Sequence, residues 1–291
     1  MSVWTGRRRA AVAAAVISGA LAGAGDAAGH GSPAVAALQV ALRRAGVYAG
    51  SVDGVAGPRT AAAVRRLQAR HRLVRDGVAG PQTLGVLGRF ARHRLGDRLL
   101  RRPDRGWDVA ELEFALAWHG FPSGSFDGRY GPQVVGAVRR FQRSAGLPVD
   151  GLAGPRTLAA LREPPPRVPI GLAWPVEAAP GDGFGPRGDR FHAGLDLEAP
   201  AGAPVRAAAA GRVSWVGPRD GWGLLVVIAH GDGVRTFYAH LSTATVRLGE
   251  HLAAGTLLGR VGATGDASGP HLHFEVRVHG AAVDPLRALP R

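Results

Sequence analysis

The sequence predicts a multidomain protein, in which two small all-α three-helix modules are followed by a mostly antiparallel all-β domain. Three observations support this prediction: a helical segment occurs twice, a proline-rich run follows the second copy, and short apolar segments alternate with glycine turns beyond it. A chain of 291 residues is long enough for two or three compact domains. We expect an N-terminal leader at 1–28, helical modules at 32–90 and 105–162, a linker at 163–169 and the β domain at 170–291.

The composition excludes several kinds of site. The chain has no cysteine, which rules out disulfides, zinc–thiolate sites and thiol nucleophiles. All 36 basic residues are arginine, so there is no lysine for a phosphate-binding loop, a Schiff base, or a tethered biotinyl or lipoyl cofactor. The net charge of +14 suits an anionic partner. The arginines are scattered with few aromatic residues among them, and we expect no nucleic-acid partner; a bacterial envelope polymer is the other anionic candidate.

The N-terminus has the pattern of a secretory signal. Three arginines at 7–9 precede an apolar run at 10–24, and Ala22-Gly23-Ala24 offers a small-residue cleavage site. This run is short for a membrane span, which needs about 20 residues. We therefore expect a signal peptide and a secreted protein without stable membrane insertion after signal removal; an uncleaved anchor is the alternative.

The helical segment repeats at a spacing of 74 residues without a gap. The aligned positions are first-helix residues and turn motifs: Val35 with Val109, Leu38 with Leu112, Leu42 with Leu116, VDGVAGP (52–58) with FDGRYGP (126–132), and DGVAGPQTL (76–84) with DGLAGPRTL (150–158). Apolar residues at i, i+3 and i+7 predict a helix, and Asp-Gly-x-x-Gly-Pro predicts a turn whose proline starts the next helix. We expect these Asp and Gly residues to form turns rather than to contact a ligand.

This repeat resembles the peptidoglycan-binding module of bacterial wall hydrolases over 33–90 and 107–161. It departs from that pattern at Val134, where Thr is usual, and at Glu113 and Leu67, where Gln and Phe are usual. The resemblance implies that peptidoglycan is a partner. Another ligand or a purely structural role for the modules are the alternatives.

The chain changes character after REPPPRVP (162–169), a run that favours extended polyproline II and separates domains. The short apolar segments that follow are RVSWVG, LLVVIAHG, RTFYAHL, TLLGRVG and HLHFEVRV. They read as strands, with Gly-Asp-Gly at 231–233 as a hairpin turn. Antiparallel pairing is therefore expected across this domain.

One of these strands carries an unusual polar face. In GPHLHFEV (269–276) the alternation of side chains places His271, His273 and Glu275 on one face of the strand and the three apolar residues on the other. An exposed polar face of an antiparallel sheet would give the same pattern. The interpretation therefore depends on what other segments contribute.

Two other segments add potential metal ligands. FHAGLDL contains His192 and, four residues later, Asp196, and FYAHLS contains His240. Imidazole and carboxylate groups suit Zn²⁺, and a catalytic zinc site needs three protein ligands and one open position. The Cβ atoms of His271 and His273 should lie about 7 Å apart, so that one can bind the metal while the other works beside the metal-bound water.

The segment 170–287 resembles the lysostaphin-like (LytM-type) zinc metallopeptidases, which cut peptide bonds in peptidoglycan. The resemblance implies one Zn²⁺ per catalytic domain, held by His192, Asp196 and His273. It also implies that His240 and His271 are catalytic, with the general base left open between them.

The resemblance as a whole implies a secreted, cell-wall-associated peptidoglycan hydrolase, a zinc-dependent endopeptidase that cleaves peptide cross-links or stem peptides. Two wall-binding modules would target it, and we expect a monomer. Glu275 either bonds to a ligand histidine or is an exposed carboxylate. We expect His230, His251 and His279 to be surface residues.

Two alternatives belong to other functional classes. Two histidines and a carboxylate are also the ligands of non-haem Fe(II) oxygenases, although a secretion signal and two additional histidines argue against that class. Relatives of the peptidase domain that have lost ligands regulate other hydrolases, but here all five site positions are present.

Overall fold

The computed structural model describes residues 30–290, so the predicted signal peptide at 1–28 lies outside the described residues. The chain forms two compact units, of which one contains the α-helices and the other the large β-sheet. This arrangement confirms the predicted fold class. In the described part of the chain, no helix has the length and apolar character needed to cross a membrane.

The helical unit contains two successive sets of three α-helices. The helices are α1 (Pro33–Arg44), α2 (Pro58–Arg70), α3 (Pro81–Gly85), α4 (Trp107–Trp118), α5 (Pro132–Ser144) and α6 (Pro155–Ala160), with a 3₁₀ turn at Gly88–Ala91. Every one except α4 begins with proline, which has no N–H to leave unsatisfied in the first turn. The first helices of the two sets, α1 and α4, pack against each other and are buried over most of their length. Two three-helix sets therefore share one helical core.

A buried glutamine amide holds the first Asp-Gly turn. Gln39 Nε2 donates hydrogen bonds to Asp53 Oδ1 (2.6 Å), Val55 O (3.1 Å) and Thr60 Oγ1 (3.1 Å). Its Oε1 accepts from the Gly54 N–H at 2.9 Å. The turn residues thus bond within the module, which agrees with the turn-forming role predicted for them.

The arrangement recurs three times, and one of these three copies is chemically different. Two copies keep the same residue types: Gln68 with Asp76 and Thr83, and Gln142 with Asp150 and Thr157. In the third, Glu113 and Val134 stand in place of Gln and Thr. Glu113 Oε2 accepts from the N–H groups of Asp127 (3.1 Å) and Gly128 (2.8 Å). Burial raises the pKa of Glu113 well above its ordinary value, and the neighbouring Asp127 charge acts in the same direction.

The β unit contains one ten-stranded sheet. Its strands are β1 (Ala179–Pro180), β4 (Leu195–Glu198), β5 (Pro204–Arg206), β6 (Gly211–Arg219), β7 (Gly223–Ala229), β8 (Val234–Ala244), β9 (His251–Leu252), β10 (Leu257–Val261), β11 (Leu272–Val278) and β12 (Ala281–Val283). A separate hairpin joins β2 (Gly185–Arg187) and β3 (Arg190–His192), and a 3₁₀ turn covers Pro285–Arg287. The sheet order is β1-β4-β11-β8-β7-β6-β9, with β10 pairing β5 and β8 and with β12 pairing β11. The pairings in this sheet are antiparallel, as predicted.

The two faces of the sheet differ in composition. One face is buried in the main core and includes the β11 residues Leu272, Phe274, Val276 and Val278. The opposite face, called the outer face below, includes three β11 residues and their direct partners on β8: His273 with Ala239, Glu275 with Phe237, and Arg277 with Arg235. A small apolar cluster of Leu225, Val227, Phe237 and Ala239, with Trp222 packed against it, lies on the outer face. The polar side chains on this face therefore lie beside a cluster of apolar side chains.

The Glu113→Gln variant should be more stable than the parent at neutral pH. Because its folded-state pKa is raised above the ordinary 4.5, Glu113 binds its proton more tightly in the folded chain than in the unfolded chain. Its stabilising contribution is complete below about pH 4.5 and is lost as the pH rises from there through the folded-state pKa. Glutamine does not titrate and can donate to Asp127, so we expect a gain of about 1 kcal/mol in the free energy of unfolding at pH 7.

Urea unfolding of the helical unit between pH 4 and pH 8, followed by circular dichroism, measures this effect. The exposed Glu177→Gln provides the control for loss of a carboxylate. Equal pH dependence of the parent and the Glu113→Gln variant would contradict the prediction.

Candidate metal centre

Three of the predicted site residues converge to a small triangle of donor atoms. His192 Nε2 lies 3.0 Å from His273 Nδ1 and 3.1 Å from Asp196 Oδ1. The third side, from His273 Nδ1 to Asp196 Oδ1, measures 2.7 Å. Among the described residues, these three form the one group of His, Asp and Glu side chains placed to share a metal ion.

Strand pairing brings the three residues together. Asp196 on β4 is the direct partner of His273 on β11, so both side chains leave the same face of the sheet. His192 ends β3, and the short connection to Asp196 passes close to β11. A Cβ added at Gly194 would lie 2.6 Å from Phe274 O and 2.8 Å from a ring carbon of His273. Glycine is therefore required inside the His-x-x-x-Asp motif for this close approach.

The orientation of both imidazoles fits a metal ligand. His192 Nδ1 lies 2.9 Å from Gly183 O, and because a carbonyl oxygen only accepts, Nδ1 carries the proton. His273 likewise donates from Nε2 to Glu275 Oε1 at 3.3 Å. Nε2 of His192 and Nδ1 of His273 are then the nitrogens that point into the triangle, as in protein metal sites where a carbonyl or carboxylate fixes the orientation of the ring.

The carboxylate that orients His273 is itself anchored. Glu275 is only 2% exposed, and its Oε2 accepts from Arg277 Nε at 2.7 Å. The Arg277 guanidinium lies 4.6 Å from the Phe237 ring centroid and 5.7 Å from that of Trp222. The Trp222 ring in turn meets the His273 ring edge-on at 5.4 Å. Glu275 is therefore a buried partner of His273, not the exposed carboxylate that was its alternative.

The convergence of these groups shifts the pKa of Asp196 and that of His273. Burial alone would raise the pKa of Asp196, but the hydrogen bonds from His192 and His273 hold it far below its usual range. Burial lowers the pKa of His273, yet the bonds to Asp196 and Glu275 outweigh it and raise the pKa to about 9. Metal binding requires the ligand atoms to be free of protons, so an ion at this position competes with the His273 proton.

The two remaining predicted histidines flank the triangle. His240 Nδ1 lies 2.7 Å from Thr264 O and His271 Nδ1 lies 2.9 Å from Gly269 O, so each donates there and leaves Nε2 available. The centroids of these two rings are 4.8 Å apart. His271 Nε2 is 3.8 Å from Asp196 Oδ1. The structure thus assembles all five predicted residues in one place.

A backbone irregularity gives His240 its position. Tyr238 and Leu241 both point into the main core, although strict alternation would separate core residues by an even number of positions. His240 has a φ of +60°, a left-handed conformation that is uncommon outside glycine, and its N–H donates to Trp222 O at 2.9 Å. This irregularity lets His240 turn towards the triangle, since alternation from Tyr238 would send it to the core side. Bulges of this kind re-aim side chains near functional sites.

Burial lowers the pKa of His240 below its ordinary 6.5, and the nearby His271 acts in the same direction. At neutral pH the His240 ring is therefore uncharged, and its Nε2 can accept a proton. Within the group of five residues, His240 has the properties of a base.

The sequence interpretation missed two supporting residues, Trp222 and Thr264. Thr264 accepts from His240 through its carbonyl oxygen, and its hydroxyl accepts from the Leu224 N–H at 2.9 Å. A Cβ at Gly223 would lie 2.2 Å from the Thr264 hydroxyl oxygen, so glycine is needed where these two loops meet. The Gly-Trp-Gly sequence was the available signal, because glycines on both sides of an aromatic residue permit a close backbone approach.

The other histidines of this unit do not join the site. His251 and His279 are exposed, as predicted. The prediction for His230 was wrong: it is partly buried, and its ring bonds Ala210 O at 2.8 Å and Thr236 Oγ1 at 2.7 Å. Two hydrogen-bonding partners separated by 26 residues hold this ring, and adjacent sequence gives no sign of them.

Comparison with known families agrees with this architecture. Residues 190–285 match peptidase family M23, and residues 31–87 and 105–161 each match a peptidoglycan-binding domain family. The chain is 46% identical over 102 residues to the DD-carboxypeptidase/endopeptidase Mpg of Neisseria meningitidis, covering 35% of this chain and 24% of that protein. It is 37% identical over 119 residues to the murein hydrolase activator NlpD of Escherichia coli, covering 40% and 31%.

Among solved structures, the catalytic domain of lysostaphin from Staphylococcus simulans is 32% identical, with coverage of 38% of this chain and 90% of that one and a TM-score of 0.36. The chain spans less than half the length of the curated relatives it matches, from 21% to 41%. The chain therefore contains a peptidase family M23 (LytM-type) domain at 190–285, which follows two peptidoglycan-binding domains.

Proposed function

We propose that this protein is a secreted, zinc-dependent endopeptidase that cleaves peptide cross-links or stem peptides of peptidoglycan. The observation that carries the proposal is the triangle of His192, Asp196 and His273 donor atoms, with sides of 2.7–3.1 Å. Two histidines with available Nε2 atoms, His240 and His271, stand beside it. Metal ligands and proton-transfer groups are thus combined in one site.

Two imidazole nitrogens and one carboxylate oxygen form a donor set that suits zinc and leaves a fourth position for water or substrate. When bound, zinc lowers the pKa of its water ligand towards ~7 and polarises a peptide carbonyl. His192, Asp196 and His273 would hold the ion. Gly183 and Glu275 would keep the two ligand rings in the required tautomer.

The flanking histidines supply proton transfer. His240 is uncharged at neutral pH and accepts the proton of the attacking water at Nε2. His271, whose Nδ1–H is fixed on Gly269 O, presents Nε2 beside Asp196. In its protonated form it would stabilise negative charge on the tetrahedral intermediate. The leaving amine then takes its proton from one of these two rings.

The helical modules would keep the peptidase close to its substrate. A tethered domain experiences a raised effective concentration of the polymer to which its binding modules attach. The net charge of +14 favours an anionic wall. We propose that the secreted protein acts at the cell wall as a monomer, since catalytic groups from a single chain complete the site.

Digestion of purified peptidoglycan should depend on zinc and on these residues. The zinc-loaded protein should produce fragments of peptidoglycan with new free amino groups, and the protein should produce none after chelation. Amine labelling and mass spectrometry of the fragments measure this. His273→Ala should abolish release, and His240→Ala should lower kcat by about 10²–10⁴-fold, the usual contribution of a general base. The exposed His251→Ala is the matched control.

Three outcomes would contradict the proposal. If the His273→Ala variant released fragments as the parent does, the assignment of the metal site would be wrong. A strict requirement for iron and oxygen would indicate an oxygenase, and no release by the zinc-loaded parent would favour a non-enzymatic regulator of other hydrolases.

Glu275→Gln should weaken zinc binding without preventing folding. Glutamine retains the shape of Glu275 but loses the charge that bonds His273 Nε2–H and Arg277, and loss of such an orienting partner costs about 10–100-fold in metal affinity. Competition with a chromogenic chelator measures this affinity independently of catalysis. Glu250→Gln, at an exposed loop position, provides the control, and unchanged zinc affinity in the Glu275→Gln variant would contradict the role given to Glu275.

A further inference from the structure

The outer face of the sheet ends in an unusual pair of like charges. Arg235 on β8 and Arg277 on β11 are direct partners in the antiparallel ladder. Directly opposed side chains lie on the same face with Cβ atoms about 4.5–5.5 Å apart, and like charges at such positions destabilise a sheet. The structure therefore places two guanidinium groups where mutual repulsion has to be offset.

Only one of the two arginines is neutralised within the described chain. Arg277 donates to the buried Glu275 at 2.7 Å and lies over the Phe237 ring. Arg235 is exposed, and its guanidinium has no hydrogen bond or ion pair with any residue that the structure describes. One full positive charge thus remains available on this part of the sheet.

The two arginines line a cavity of about 390 Å³. Its other lining residues are Phe237, His279, Gly233 and Gly280, so no acidic side chain is among them. Glu275 lies on the same strand, but its two oxygens are occupied by His273 and Arg277. The cavity thus combines an aromatic wall with uncompensated positive charge.

This cavity and the candidate metal centre lie along the same strand, β11. Arg277 follows His273 by four residues on β11, with both side chains on the outer face, which corresponds to about 13 Å along a strand. Phe237 and Trp222, whose ring centroids are 5.7 Å apart, form an apolar floor beside this path. An extended peptide of about four residues would reach from the metal centre to the arginines.

We propose that this cavity is a subsite for a free carboxylate of the peptide substrate, with Arg235 as the group that binds it. A guanidinium can hold a carboxylate by two parallel charge-assisted hydrogen bonds, and Arg235 has its donors unused. A bound carboxylate would also offset the repulsion between Arg235 and Arg277. The inference rests on the proposed function, because the carboxylate belongs to the peptide that is cleaved about 13 Å away.

Arg235→Gln is the decisive variant, since it removes the charge and keeps a hydrogen-bonding side chain. Arg277 is unsuitable because its loss would also release Glu275 and disturb His273. Arg247→Gln makes the same change of net charge at an exposed position on the β8–β9 loop and is the matched control. The substrates are soluble cross-linked stem peptides from peptidoglycan, used as free acids and after carbodiimide amidation of their carboxylates.

With zinc-loaded full-length protein, Arg235→Gln should raise KM for the free acids about tenfold and leave kcat within about twofold, as expected for one partly exposed charge-assisted contact. For the amidated peptides, the parent, the variant and the control should all have the same KM, and it should be higher than the KM of the parent for the free acids. A free-acid KM within twofold of the parent value in the Arg235→Gln variant would overturn the proposal. An equal rise for both forms of the peptide would overturn it as well.

A binding measurement separates this inference from the proposed function. After chelation of the metal, calorimetry with the same peptides should give a tenfold weaker Kd for Arg235→Gln with the free acids alone. If the zinc-loaded parent cleaves nothing, the endopeptidase proposal fails while this binding difference can still stand. If the parent cleaves but shows no preference for free acids in either experiment, the carboxylate subsite fails and the endopeptidase proposal stands.

Discussion

The register of β4 against β11 is the constraint on which the candidate site depends. It sets Asp196 directly opposite His273, with 2.7 Å between Oδ1 and Nδ1. Because side chains alternate across a strand, a slip of one residue would send His273 to the core face and Phe274 to the outer face. The buried apolar residues of β11 prevent that slip, since burial of their side chains would be lost. The hydrophobic core thus holds the polar site in register.

The candidate metal centre and the basic end of the outer face are physically joined. Arg277 fixes Glu275, and Glu275 fixes the ring of His273. The same guanidinium packs on Phe237 and lines the cavity that contains Arg235. A single arginine therefore supports the orientation of the His273 ring and the shape of the neighbouring cavity. Substitutions at Arg277 would change both, whereas Arg235 affects only the cavity.

In the helical modules, two departures from the family pattern are chemically linked although they are far apart in sequence. Glu113 and Val134 lie 21 residues apart, and each differs from the pattern of the family that the modules resemble. In the first module the corresponding residues, Gln39 and Thr60, hydrogen-bond to each other at 3.1 Å. A carboxylate at the first position removes the amide donor, and valine at the second removes its acceptor. The two changes therefore replace both partners of one hydrogen bond in the same buried network.

Local patterns were enough to predict the helices and the strands, and to single out the five residues that the structure brings together. Proline at helix starts, period-two alternation in β11 and the short His-x-x-x-Asp spacing each depend on residues close in sequence, and local sterics and burial decide them. Family resemblance then assigned His192, Asp196 and His273 to a shared metal and separated them from His240 and His271.

Only the tertiary structure decided the left-handed turn that re-aims His240, the burial of Glu275 beside Arg277, and the position of Arg235 opposite Arg277. The turn at His240 depends on contacts with Trp222 and Thr264, which lie 18 and 24 residues away. The position of Arg235 depends on strand pairing with a residue 42 positions later, and the burial of Glu275 depends on the packing around β11. Pairing across such a separation is set by packing of the whole sheet, for which no short stretch of sequence contains the information.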